Sequence, residues 1–244
     1  SLEDDIVGAE DDEKIQRYID EERHISKHKI KRIINQSQKL KVEMDEMGRK
    51  KSVQYDEVLQ RQRDLIYKTR AQLLEGARVK EKLLLDIARE NIVDYLQHQD
   101  IIDLAEINRY ILDNVSYSLD DGLKGVSLSD KKALEEYLMK RVYEGIAKQK
   151  ASIHHPDAYE QFLREAILNA VDEGWVELID YLEQLKYAVA GRASAQRNIM
   201  FEYQNEAFES YLDTVKVVKR NIIRNVLLSD VTVLKDARLK IVYP

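Results

Sequence analysis

Cysteine is absent from the 244 residues, so disulfides, zinc–thiolate sites and thiol nucleophiles are excluded. The absence fits a reducing compartment. Proline occurs only at Pro156 and Pro244, and there are 8 glycines. An all-β sandwich or barrel needs turn residues roughly every 8–12 positions, so this scarcity rules one out and predicts long helices instead. No Gly-rich phosphate loop is present, which removes Rossmann and P-loop chemistry from the chain itself. Gly-x-Ser-x-Gly and His-Glu-x-x-His are missing as well. No apolar run reaches the ~18 residues of a membrane-spanning helix. The net charge of −6 argues against general nucleic-acid binding.

Hydrophobic residues make up 44% of the chain and charged residues 34%, which is apolar enough to fold and unusually charged. The chain opens Ser1-Leu2-Glu3-Asp4-Asp5 rather than with Met, as expected of a piece of a longer protein. Residues 1–13 are acidic and suit the N-terminus of a following helix, and equally a solvated leader. From Lys14 to Leu74 the apolar residues keep helical spacing: Ile15, Tyr18, Ile19; Ile30, Ile33, Ile34; Tyr55, Val58, Leu59. A helix of ~60 residues would be a rod of roughly 90 Å. Gly48 is its weak point, where it is expected to kink or split. The apolar stripe lacks strict heptads, which favours a scaffold over a coiled coil.

Further helices are predicted from Arg78 to His98 and from Ile101 to Leu112. Asn114 to Gly125 reads as a loop. A helix capped by Ser127 or Ser129 follows, with Leu134, Leu138 and Val142 on one face and a break from Lys150 to Pro156. Helices from Asp157 to Val189 and from Met200 to Leu228 form an antiparallel hairpin around a small, polar, cationic tip at residues 190–198. Val231 to Tyr243 alternates weakly and predicts one short strand. The predicted fold is all-α: a long scaffold helix, an inserted small helical subdomain and an antiparallel two-helix hairpin.

Few residues carry chemistry. Glu21 and His24 form a Glu-x-x-His with His28 one turn on, but a di-metal bundle needs a second such motif and none exists. An exposed helix face is the plainer reading. Lys27, Lys29, Lys31, Arg32, Lys39 and Lys41 run without an intervening acid, followed by Arg49, Lys50 and Lys51. This stripe suits an acidic partner, phosphate or anionic lipid, and equally a solvated face. Trp175, the only tryptophan, is expected to anchor the hairpin against the rod.

Tyr55-Asp56-Glu57-Val58-Leu59, Gln62-Arg63, Ile66-Tyr67 and Arg70 together resemble the helical scaffold of the SecA family of bacterial protein-translocation motors. Asp172, Trp175, Leu185, Arg192, Gln196-Arg197, Glu202-Tyr203, Glu206 and Phe208 follow that family's two-helix finger in order. The resemblance covers residues 1–75 and 160–228, and residues 79–156 match the family's helical wing in position. Three departures stand out. Leu178 replaces a usual His, Asn198-Ile199 replaces Asp-Pro, and Ser194 replaces a large tip residue. With the missing Cys-rich tail, they resemble an accessory SecA paralogue of the kind used to export glycosylated surface adhesins.

The resemblance implies an ordered set of parts. Residues 1–12 would leave the second motor subdomain, 13–78 would be the scaffold helix, 79–156 the wing, 157–229 the finger returning to the scaffold, and 230–244 a tail. Tyr55, Asp56, Gln62, Arg63, Tyr67 and Arg70 would contact the motor subdomains. Trp175, Tyr203 and Phe208 would pack the finger on the scaffold. Arg192, Ala193, Ser194, Ala195, Gln196 and Arg197 would meet channel or substrate. The implied partners are N-terminal motor domains of the same protein, a SecY-type channel, unfolded export substrate and anionic lipid, with no nucleic acid. The implied location is the cytoplasm, peripheral to the membrane's inner face. The parent would be an ATP-dependent translocase using ATP and Mg. This chain would carry no cofactor and no catalytic residue, and would be inactive alone. A helical scaffold or adaptor without a motor role is the competing expectation.

Overall fold

The computed structural model describes residues 27–74, 79–99, 101–191, 199–234 and 238–244. It divides into two units, Ser1–Val58 and Leu59–Pro244. The described residues form six α-helices, a 3-10 turn and one strand pair. Among them no helix is long and apolar enough to cross a membrane.

Helix α1, Lys27–Leu74, contributes to both units. In the first unit it exposes Leu40, Val42, Met44, Met47 and Val53. Charged pairs one turn apart, such as Glu46–Lys50 at 2.9 Å, lie along its surface. The expected break at Gly48 does not occur. One exposed glycine costs about 1 kcal/mol relative to Ala, which a 48-residue helix can carry.

The second unit contains α2 (Glu81–Gln97), α3 (Leu104–Asn114), a 3-10 turn (Asp121–Gly125), α4 (Lys131–Ile153), α5 (Pro156–Gly191) and α6 (Ile199–Leu228). Leu84, Ala88 and Ile92 of α2 meet Leu134, Leu138 and Val142 of α4, each set at i, i+4, i+8, so that one stripe of each helix is buried. Phe162, Ala166 and Ala170 of α5 join them, with Ile222, Ile223 and Val226 of α6. Asn225, also buried, donates to the Ala166 carbonyl at 3.1 Å and to Asn169 Oδ1 at 2.9 Å, pinning α6 to α5.

Two glycines mark where helices touch. A Cβ on Gly145 of α4 would lie 2.8 Å from Leu227 Cδ2, and one on Gly174 of α5 would overlap Val218 Cγ2 of α6. Both sites admit only hydrogen without a shift of the partner.

Local boundaries differ from expectation in three places. The cap of α4 is Asp130, not Ser127 or Ser129. Its carboxylate accepts from Lys132 N at 3.0 Å and Ala133 N at 3.2 Å, while the two serine hydroxyls bond each other at 3.1 Å. Helix α4 also runs to Ile153, leaving a break of only two residues, with His154 in the left-handed region at φ 62°. The tail forms two strands rather than one: β1 (Asp230–Val233) pairs antiparallel with β2 (Leu239–Val242).

The loop after α3 is tied by Asp120. Its Oδ1 accepts from Tyr137 Oη at 2.6 Å and Gly122 N at 2.9 Å, and its Oδ2 pairs with Arg141. These donors hold its carboxyl below the usual range. Burial and the Asp120 charge push Tyr137 up to about 12.

Candidate functional site

Beyond the shared core, α5 and α6 continue as a hairpin with a seam of its own. Leu178, Leu182, Leu185 and Val189 recur at i, i+4, i+7, i+11 on α5 and are buried, as are Tyr203 and Ala207 on α6. Leu178, where a His was the expected family residue, is therefore an apolar seam residue at 1% exposure. A histidine there would need a partner for its ring nitrogens.

The second-unit part of α1 lies against this hairpin. Leu59, Gln62, Ile66 and Arg70 recur at i, i+3, i+7, i+11 and form the covered face, while Arg61, Asp64 and Lys68 stay exposed. Three contacts define the attachment. Gln62 Nε2 donates to the Ala207 carbonyl at 2.9 Å in a buried setting. Arg70 grips Asp172 through two parallel bonds, Nε to Oδ1 at 2.9 Å and Nη2 to Oδ2 at 3.3 Å. Tyr67 meets Trp175 edge-on, with ring centroids 6.4 Å apart and planes at 88°. Arg63 lies over the Tyr67 ring, 5.2 Å from its centroid, in a cation–π contact.

The electrostatics favour a fixed geometry. The hydrogen bond and charge of Asp172 raise the pKa of Arg70 above its ordinary value. The two-point match of guanidinium and carboxylate sets orientation as well as distance. Ala207 has no bulk beyond Cβ, which lets Gln62 reach the α6 backbone.

The structure thus brings Gln62, Tyr67 and Arg70 against the hairpin at Ala207, Trp175 and Asp172, with Arg63 over Tyr67, while Tyr203 is buried in α6. Phe208 is turned away from the seam and is 58% exposed. Tyr55 and Asp56 lie in the first unit, half-buried and exposed respectively. Arg192, Ala193, Ser194, Ala195, Gln196 and Arg197 lie outside the described residues, as do Glu21, His24 and the side chain of His28. Among the described residues no group of His, Asp and Glu converges as a metal ion requires. Lys31, Arg32 and Lys39 of the basic stretch face solvent. Sequence reading did not single out Ala207 or Gly174, because a small residue inside a helix gives no local signal of what approaches it.

The geometry is that of a two-helix hairpin attached to the second-unit part of α1. The comparisons agree with that architecture. A family model described as the SecA Wing and Scaffold domain matches residues 24–230. Protein translocase subunit SecA 2 of Streptococcus agalactiae serotype V (strain ATCC BAA-611 / 2603 V/R) is 31% identical over 225 residues, which cover 90% of this chain and 27% of that protein. Protein translocase subunit SecA 2 of Staphylococcus aureus (strain Mu3 / ATCC 700698) is 26% identical over 216 residues, covering 88% of this chain and 27% of that protein. The chain therefore spans about a quarter of the length of these relatives. With a match over most of its residues, scaffold helix and hairpin included, the chain belongs to the SecA wing and scaffold domain family.

Proposed function

We propose that this chain is the C-terminal helical part of a SecA-like, ATP-driven preprotein translocase of the accessory type. It transmits movement of motor domains to a hairpin that advances exported polypeptide into a SecY-type channel. The observation that carries the reading is the attachment of the hairpin to α1 at Gln62, Tyr67 and Arg70. Close-packed helices do not deform continuously, so a push along α1 is delivered to the hairpin rather than absorbed. The chain holds no phosphate-binding motif, so ATP and Mg belong to motor domains of the parent, and the chain alone does not hydrolyse ATP. The SecA 2 relatives support the accessory assignment, and glycosylated surface adhesins are its proposed cargo. The small Ser194 at the tip suits a weaker or different grip on substrate than a large ring gives. The basic stretch of α1 is the proposed contact for anionic lipid, which keeps the parent at the cytoplasmic face of the membrane.

This chain has no cysteine of its own, so with any cysteine elsewhere in the parent replaced by serine a single new thiol reports one position. Ser194→Cys is introduced into the protein that carries this chain, and ATP, SecY-containing membranes and a single-Cys export substrate are added. An ATP-dependent disulfide from residue 194 to substrate or channel is the expected result. Intact transport with no crosslink from any of residues 192–197 would overturn the finger role and favour a plain helical adaptor.

A further inference from the structure

A cavity of about 890 Å³ lies between α2 and α3 on one side and α6 on the other. Its two sides carry opposite charge. Glu90 and Asp94 of α2, with Glu106, Arg109 and Asp113 of α3, make one side acidic. Asp213, Lys216, Lys219 and Arg220 make the α6 side basic. Among the described residues only one ion pair crosses the gap. Lys219 Nζ reaches Glu90, and beside it Asn91 Nδ2 donates to the Lys219 carbonyl at 3.1 Å, so the two sides meet there. Other pairs stay on one helix, Arg109 with Asp113 at 3.6 Å and Lys216 with Asp213 at 4.0 Å. Asp94 has His98 beside it at 3.6 Å, a charged pair only when the ring is protonated. The side chains of Glu106 and Arg220 have no ion pair or hydrogen bond among the described residues. Tyr95 and Tyr110 also line the cavity, half-buried and stacked with centroids 4.1 Å apart and planes at 20°. Neither phenol hydroxyl has a hydrogen-bond partner among the described residues. Burial and then the Glu106 charge raise the Tyr95 pKa. Burial raises that of Tyr110 further, with Arg220 opposing and Asp94 adding to the rise. The unmatched charges of both signs therefore act on one phenol pair.

We propose that this cavity is a binding site for an extended polypeptide segment in which basic and acidic residues alternate. Successive side chains of an extended chain point to opposite sides. A segment lying along the cavity therefore turns its basic residues to α2 and α3 and its acidic residues to α6. Arg220 pairs with a carboxylate of the segment through two N–H donors, and Asp94 and Glu106 accept from its ammonium or guanidinium groups. The phenol hydroxyls, which both donate and accept, serve its backbone. A purely basic segment meets repulsion from Lys216 and Arg220, and a purely acidic one from Asp94 and Glu106. Occupancy adds bonds between the small subdomain and α6 beyond the Lys219–Glu90 bridge. The site lies outside the scaffold–hairpin attachment and does not depend on the translocase reading.

The test is isothermal titration calorimetry of the chain at low, constant ionic strength, where charge screening is weak. The probe is acetyl-Lys-Glu-Lys-Glu-Lys-Glu-amide. Acetyl-Lys-Lys-Lys-Glu-Glu-Glu-amide has the same composition without the alternation, and acetyl-Gln-Ser-Gln-Ser-Gln-Ser-amide is the uncharged control. Saturable binding of the alternating peptide is expected, with the block peptide at least about fivefold weaker and the uncharged peptide not binding. Arg220→Gln and Glu106→Gln should each weaken the alternating peptide by roughly three- to fivefold, one ion pair being lost in each. Both side chains are exposed and unpaired, so both variants are expected to fold. No saturable binding of the alternating peptide, equal affinity for the block peptide, or unchanged affinity in either variant would overturn the proposal.

Discussion

Gly174→Ala is the sharpest probe of how α5 and α6 are held together. On an exposed helix the change would stabilise by about 0.5–1 kcal/mol, because Ala restricts the unfolded chain and suits a helix. Here the added methyl would overlap Val218 Cγ2 and lie 3.5 Å from Thr214 Cγ2. Val218 cannot swing aside cheaply, since a β-branched side chain in a helix has one strongly preferred rotamer. Overpacking of this kind costs about 1–3 kcal/mol. Subtracting the propensity gain leaves a net destabilisation of up to about 2.5 kcal/mol, centred near 1 kcal/mol. Val218→Ala creates the missing space, so the double variant should recover at least about 1 kcal/mol relative to the sum of the single changes. Urea unfolding followed by circular dichroism measures all four corners of the cycle, and Trp175 fluorescence reports the hairpin separately. A Gly174→Ala protein more stable than wild type, or additive behaviour in the double variant, would refute the close contact.

Asp120 supplies a pH test. Its folded pKa is depressed, so the stability it contributes is full above the ordinary carboxylate pKa and is lost only as pH falls through the lower folded value. Asp120→Asn should therefore cost about 1 kcal/mol at neutral pH, discounted for partial exposure, and the difference from wild type should be smaller at pH 3 than at pH 7 by denaturation at the two pH values. Tyr137 and Tyr159, raised to about 12, should ionise after exposed tyrosines in an absorbance titration at 295 nm, and their contribution to stability is lost between pH 10 and 12. Asn225→Leu removes a buried pair of hydrogen bonds and should cost about 1–3 kcal/mol by urea unfolding. Asp172→Asn should weaken the grip on Arg70, seen as faster amide exchange in residues 172–189 and as altered Trp175 emission, with exchange near Leu84 unchanged.

Helix content and the two-helix hairpin were legible in the sequence, because helical periodicity is a local property. Scarce glycine and proline left few places for a chain to turn. The departures from expectation are of two kinds. Gly48 and the cap of α4 were decided by competition among local options: a long helix tolerates one glycine, and Asp130 sits one residue closer than Ser129 to the amides that need an acceptor. The rest was decided by contacts far apart in the chain. Arg70 and Asp172 are separated by 102 residues, and Gln62 and Ala207 by 145, so no sequence window contains both partners. The same holds for Gly174 against Val218 and for the second strand of the tail, whose pairing exists only once the chain has turned back. Periodicity fixed which residues form helices and which faces are apolar. Only the tertiary structure decided which faces meet, because that choice depends on shape and charge matching across the fold.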